Sequence, residues 1–291
     1  MTQNFIMNNK CYKFELRNYN KGFLDDFVNC TYILHLENNG RMKNIEQQLS
    51  RNIPTKKIYI VYNKGYKNCT KKLIDYNSKI DLVDANLIIM KHSIDNNFNN
   101  ILILEDDFIF DYDRINDIKK NIVNDIKLFF NKNKNEKFYY NLGPSPLIIN
   151  PNINIFNKNY KCNICFATHA NIYTKNIRID ILNKINNRYN ISIHWDVFLT
   201  RNYKNYFHKY SICYQTFPIT ENQKIWSEGI FSKFFFYITT KCIKLLNYDE
   251  KPQPAHDIVI NFVFILNYII YFLIIIIIFY LVFLIFFKYK K

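Results

Sequence analysis

Residues 101–107 read Ile-Leu-Ile-Leu-Glu-Asp-Asp, an apolar run that ends in three adjacent carboxylates. Glu105, Asp106 and Asp107 repel one another unless a cation sits among them. A divalent metal with a preference for hard oxygen ligands, Mg2+ or Mn2+, suits such a cluster and could in turn hold a diphosphate. The competing reading is that these acids cap the next helix or face solvent, since strand-end carboxylates are common and a fold does not fix a function. Other groups could join them. Arg41 follows Leu36-Glu37 by about one helical turn, His169 stands in an apolar stretch, and Asp196 follows His194-Trp195. Each also has a structural reading: a solvated helix arginine, a core histidine, a helix-capping aspartate. Trp195 and Trp226 read as core or wall rather than as sugar platforms.

The elements around these residues follow from patterning. A short run of Ile and Leu bounded by polar residues suits a fully buried strand of a parallel sheet. Ligands of open α/β sheets bind just beyond the carboxyl ends of such strands, where the three acids would stand. Tyr32–Leu36 and Lys57–Tyr62 are further strands; Arg41 to about Leu49 and Ile80–His92 are helices between and after them. Ile115–Phe130 is amphipathic, Phe138–Leu142 and Cys165–Tyr173 read as strands, and Ile177–Ile185 as a helix. Phe108-Ile-Phe110 would continue the sheet. This alternation predicts an α/β domain with a mostly parallel, Rossmann-like sheet.

The balance of 39 basic and 24 acidic residues gives a net charge of +15. That invites a nucleic-acid reading, which the scatter of the basic residues argues against. Abundant Asn, Lys, Ile, Tyr and Phe match AT-rich codons, so genome bias supplies much of the lysine. A basic surface still favours anionic membranes and nucleotides. The seven cysteines include a single CxxC, Cys162 and Cys165, with no second pair to complete a zinc site. They are expected to be buried or free thiols, with nothing that demands an oxidising compartment.

The polar stretch 1–10 has no apolar core of a signal peptide. At the other end, Ile258–Phe287 is almost unbroken Ile, Phe, Leu, Val and Tyr, closed by Lys288, Lys290 and Lys291. Roughly thirty residues at about 1.5 Å rise span a bilayer. A C-terminal span implies insertion after synthesis, with residues 1 to about 250 in the cytosol. Three sequons begin at Asn29, Asn68 and Asn190; in so Asn-rich a chain they carry little weight. Ser227–Leu246 is aromatic and basic and suits a membrane surface. Pro252-Gln-Pro254 reads as the hinge into the span.

Taken in order, Leu36-Glu37 with Arg41, Leu102-Ile-Leu-Glu-Asp-Asp107, Ala167-Thr-His-Ala170, His194-Trp-Asp196, and Pro218 with Gln223 resemble the glycosyltransferase family 25 type. This is the lipooligosaccharide and procollagen galactosyltransferase group. Residues 102–107 are similar to its LEDD form of the DxD metal motif, and Ala167–Ala170 to its Gly-Thr-His-Ala-Tyr strand. The helix before the acidic strand departs from it, reading Asp81-Leu-Val-Asp84-Ala-Asn86 without the family's Gly-Cys and Ser-His pairs. The resemblance implies a GT-A fold, Mn2+ or Mg2+, a nucleotide-sugar donor such as UDP-hexose, and inversion at the sugar carbon. It implies Glu105 and Asp107 as metal ligands. Leu36, Glu37, Arg41, Asp106 and His169 would stand on the donor side, and Asp196 would be the base toward a glycan, lipid or protein acceptor.

The expected organisation is an N-terminal extension (1–30), the GT-A-like domain (31–226), a juxtamembrane segment (227–257), the span (258–287) and a basic tail (288–291). Two other classes use the same residues: a metal-dependent hydrolase or nucleotidyltransferase, and an inactive membrane-anchored binding module. A two-metal hydrolase wants a further carboxylate or His pair, which has no counterpart here. Assay of a nucleotide sugar with and without Mn2+ separates the three.

Overall fold

Cys30–Leu36 forms a strand in which every side chain but the last is buried, which places it inside a sheet covered on both faces. In the computed structural model, which describes residues 9–117, 119, 121–151, 158–186, 194–215, 237, 241, 244–245 and 252–289, this strand is β2. Around it lie β1 (Tyr12–Asn18), α1 (Met42–Arg51), β3 (Lys57–Asn63), α2 (Ser78–Asp95) and β4 (Asn100–Glu105). Then come β5 (Phe108–Phe110), α3 (Tyr112–Asn116), α4 (Ile122–Lys132), β6 (Phe138–Asn141), β7 (Ser145–Ile149) and β8 (Asn159–Phe166). The chain continues through β9 (Ala170–Thr174), α5 (Lys175–Asn186), α6 (Trp195–Asn202), β10 (Lys204–His208), β11 (Cys213–Gln215) and α7 (Pro252–Tyr289).

Nine strands make one sheet in the order β1-β3-β2-β4-β9-β6-β10-β8-β7. The β3–β2, β2–β4 and β6–β10 pairs are parallel; the others are antiparallel. The expected parallel arrangement therefore holds for the β3-β2-β4 part, while β9, running against both β4 and β6, makes the whole sheet mixed. Side chains alternate across β4: Ile101 and Ile103 join the core under α2, α5 and α6, and Leu102 and Leu104 the core under α1 and α4. The architecture is thus three layers, α/β/α.

Several expectations are corrected. Residues 1–30 are not all an extension, because β1 pairs antiparallel with β3 as the sheet's edge strand. The Phe108–Phe110 strand does not continue the main sheet; it pairs with β11 in a separate ribbon. The amphipathic 115–130 stretch is two helices: α3 ends at Asn116 with Asp117 extended, and α4 starts after Asn121, which adopts φ 49°, a left-handed conformation that asparagine tolerates better than most residues. Cys165–Tyr173 is likewise split, by a turn at Ala167 with φ 69° between β8 and β9.

The cysteine reading changes too. The β1–β3 register sets Tyr12 opposite Asn63, and the loop beyond Asn63 brings Cys69 to Cys11, where the two form a disulfide. Cys30, Cys162, Cys165 and Cys213 are free and buried. At the C-terminus, Gln253 is extended (φ −104°, ψ 141°), as expected of a residue that precedes proline. The long helix then runs on, and Ala255–Phe287 is apolar enough to cross a membrane. Pro218, Gln223, Trp226, the Asn190 sequon and most of Ser227–Leu246 lie outside the described residues.

Candidate active site

The parallel β2–β4 pairing puts the ends of both strands side by side, with Leu34 opposite Glu105. Beyond β2 the chain turns through Glu37-Asn-Asn-Gly40, with Asn38 at φ 65° and Gly40 at φ 76°. Asn39 Oδ1 accepts from the Arg41 backbone N–H at 3.0 Å, which closes the turn. This loop wraps the carboxylate of Asp106. Asn39 Nδ2 (2.6 Å) and the Leu36 backbone N–H (3.1 Å) donate to its Oδ2, and His35 Nδ1 faces the same oxygen at 3.0 Å. The Arg41 guanidinium donates to Oδ1 at 2.8 Å and stands 3.6 Å from Asp107 Oδ2. Burial raises the Asp106 pKa, but the His35 hydrogen bond, the Arg41 charge and the Asn39 bond outweigh it and hold the group below its usual range.

Glu105 and Asp107 are in the opposite electrostatic state. Burial, followed by the charge of Asp107, pushes the Glu105 carboxyl up to about 8, and Asp106 and Asp196 add to the rise. Burial pushes Asp107 up to about 6, against the Gln215 hydrogen bond and the Arg41 charge. Thr168 Oγ1, in the β8–β9 turn, donates to Glu105 Oε1 at 3.0 Å. Gln215 Nε2, at the end of β11, donates to Asp107 Oδ2 at 3.1 Å. Asp196 lies in the first turn of α6, not in a strand or loop, and its Oδ1 accepts from the Val197 N–H at 2.8 Å. Burial raises its pKa as well.

These two carboxylates fit Mg2+ or Mn2+, which bind proteins through one or two carboxylates and fill the remaining positions with phosphate oxygens and water. Among the described residues no group of three or more His, Cys, Asp and Glu side chains is arranged to hold a metal. The fit therefore relies on oxygens from a phosphorylated ligand.

The structure thus brings Arg41, Glu105, Asp106, Asp107 and Asp196 to one place. Leu36 contributes its backbone N–H, while its side chain is exposed. Glu37 uses its backbone N–H to bond Asn63 O at 2.8 Å. His169 is a core residue, 2% exposed, packed against Gly143, where a Cβ would stand 2.8 Å from its Nε2. Burial, with the nearby His256, pushes its imidazole down to about 3, so it is neutral and has no charge to offer a diphosphate. His35, Asn39, Thr168 and Gln215 are the residues that sequence reasoning did not single out as site residues. Asp81 and Asp84 of α2 are structural. Asp81 pairs with buried Lys71, whose Nζ also reaches Asn63 Oδ1 (2.7 Å) and Tyr12 Oη (2.6 Å); Tyr12 donates to Asp84 at 2.6 Å.

No family model matches the chain, and no curated protein matches it. Among solved structures it is similar to a glycosyltransferase involved in the glycosylation of the major capsid of PBCV-1. The identity is 10%, over 72% of this chain and 99% of that one, with a TM-score of 0.37. A likeness at that score carries no argument for fold or function.

Proposed function

We propose that the chain is a metal-dependent inverting glycosyltransferase that moves a hexose, such as galactose or glucose, from a UDP-hexose-type donor to a glycan, lipid or protein hydroxyl. The observation that supports this reading is the division among the clustered acids. Asp106 is held below its usual range beside Arg41 and His35, whereas burial and the neighbouring charges of Asp107, Asp106 and Asp196 raise the carboxyl of Glu105. A divalent cation held by Glu105 and Asp107 would neutralise the charge that builds on a departing diphosphate.

The protein's own groups do the rest. Arg41, fixed by Asp106 and still a quarter exposed, is placed to bind a donor phosphate. Thr168 orients Glu105, and Gln215 orients Asp107. Asp196 holds one oxygen on the Val197 N–H; Oδ2 takes the proton of the acceptor hydroxyl as its oxygen bonds the sugar carbon and the sugar–phosphate bond breaks. The raised pKa of Asp196 moves it toward the range in which a base works near neutral pH.

Asp196→Asn tests the assignment. A base acts in the transition state, so kcat should fall roughly 100-fold or more while donor affinity by calorimetry stays close to wild type. Loss of donor binding with normal turnover at saturating donor would place Asp196 on the donor side instead.

The membrane helix is part of this reading; the cytosolic placement of the domain is not. The Cys11–Cys69 disulfide favours an oxidising compartment, and Asn68 of the Asn68-Cys-Thr70 sequon is exposed.

A further inference from the structure

Helix α7 is apolar for longer than a bilayer requires. Its membrane-compatible stretch covers 33 residues, about 50 Å at ~1.5 Å per residue, against about 30 Å of hydrocarbon and about 40–45 Å with headgroups. The surplus lies in the first half of the helix, and that half is docked on the domain. Ile260 and Phe264 share a core with Ile149, Cys162, Cys165 and Phe207. Tyr160 meets Phe264 edge-on at 4.6 Å between ring centroids.

Asn267 makes the contact specific. Its Oδ1 accepts from the Ile149 N–H and its Nδ2 donates to Leu147 O, both at 3.1 Å. β7 is the last strand of the sheet, so Asn267 covers backbone groups on an open edge. It also satisfies its own amide, the requirement for a polar group at membrane depth.

The opposite face of this docked half is apolar and bare. Ile258, Phe262 and Ile265 are 54%, 63% and 60% exposed, and on the adjoining strand Leu147 and Ile148 are 54% and 38% exposed. Tyr268 and Tyr271 line the crevice between α7 and the end of β7, the amphipathic rings expected at headgroup level. The polar limit is sharp: Asp257, next to Ile258, is paired with Arg114 of α3.

We infer that the β7 edge and the bare face of the first half of α7 form one lipid-contacting surface. The globular domain is therefore seated in the headgroup layer through β7 and is not suspended above the membrane on a stalk. This inference concerns the surface alone and stands whether or not the chain transfers sugars.

The test uses the full chain in phosphatidylcholine vesicles. Cysteines introduced one at a time at Leu147→Cys, Phe262→Cys and, on the far edge strand β1, Leu16→Cys are labelled with an environment-sensitive fluorophore without reductant, with the unsubstituted chain labelled alongside as the blank for its own thiols, and exposed to lipids with a headgroup-level quencher. Positions 147 and 262 should be blue-shifted and quenched several-fold more strongly than 16, which is 44% exposed in the structure. Quenching at 262 alone, or at neither position, overturns the inference. Hydroxyl-radical footprinting of the unsubstituted chain in the same vesicles reads the same surface without any variant. Leu147 and Ile148 should be protected relative to Leu16, and equal modification overturns the inference.

Discussion

Asp106 accepts from His35, Leu36, Asn39 and Arg41, so its role is to position the β2–α1 loop and the arginine. Asp106→Ala should strip buried donors of their acceptor and cost about 2–3 kcal/mol, discounted because Arg41 reaches solvent. Denaturant unfolding measures it; a loss below about 0.5 kcal/mol would contradict this positioning role. His169 gives a prediction in pH. Its folded-state pKa is about 3 against about 6.5 unfolded, so between those values the unfolded chain binds the extra proton. Stability present above pH 6.5 is therefore lost as pH falls toward 3, with a slope of up to about 1.4 kcal/mol per pH unit from this group. Unfolding midpoints at pH 7 and pH 5 should differ less in His169→Phe than in wild type; an unchanged difference would contradict the burial account. The acid cluster was legible in the sequence because residues 105–107 are contiguous. The partners were not: Asn39 and Gln215 reach Asp106 and Asp107 across 67 and 108 residues, pairings that no local pattern encodes.

At the level of elements, β2, β3, β4, α1 and α2 were readable: β2 and β4 as apolar runs buried on both faces, β3 as a short run rich in Ile, Val and Tyr, α1 by the buried face of Ile45, Gln48 and Leu49, and α2 as a mostly buried apolar helix. Two of the misreadings share a feature: a residue in the left-handed region, Asn121 at the start of α4 or Ala167 between β8 and β9, marks a break that the hydrophobic pattern does not show. β1, with its alternating exposure, was hidden by its polar face. Gly143 links packing to the site. A Cβ there would stand 1.8 Å from Cys213 O, so Gly143→Ala must displace β11, which carries Gln215 against Asp107. Overpacking of this kind costs about 1–3 kcal/mol or more. Gly40→Ala meets nothing within 4 Å but sits at φ +76° and should cost about 1 kcal/mol. Thermal unfolding of the two variants should rank Gly143→Ala as the more damaging; the reverse order would show that the β11 contact is loose.

For the whole molecule, a mixed α/β body is joined to one apolar helix by an ion pair, a core and the Asn267 bonds. The long apolar helix was plain in the composition; its docking was not, because Asn267 reads in sequence as an interruption. The disulfide bears on topology. With the domain in an oxidising lumen, protease added to intact microsomes should leave it protected, and Asn68→Gln should remove a glycan seen as a gel shift. Digestion of the domain with no glycan on wild type would restore the cytosolic placement. The most direct test of the account is turnover of a panel of nucleotide sugars by the purified full chain, with Mn2+, with EDTA, and as Asp107→Asn. The account predicts sugar release or transfer from one donor class in Mn2+, abolished by EDTA, restored by added Mn2+, and absent in folded Asp107→Asn. Full activity in EDTA or in Asp107→Asn, or phosphate-ester cleavage in place of sugar release, would contradict it.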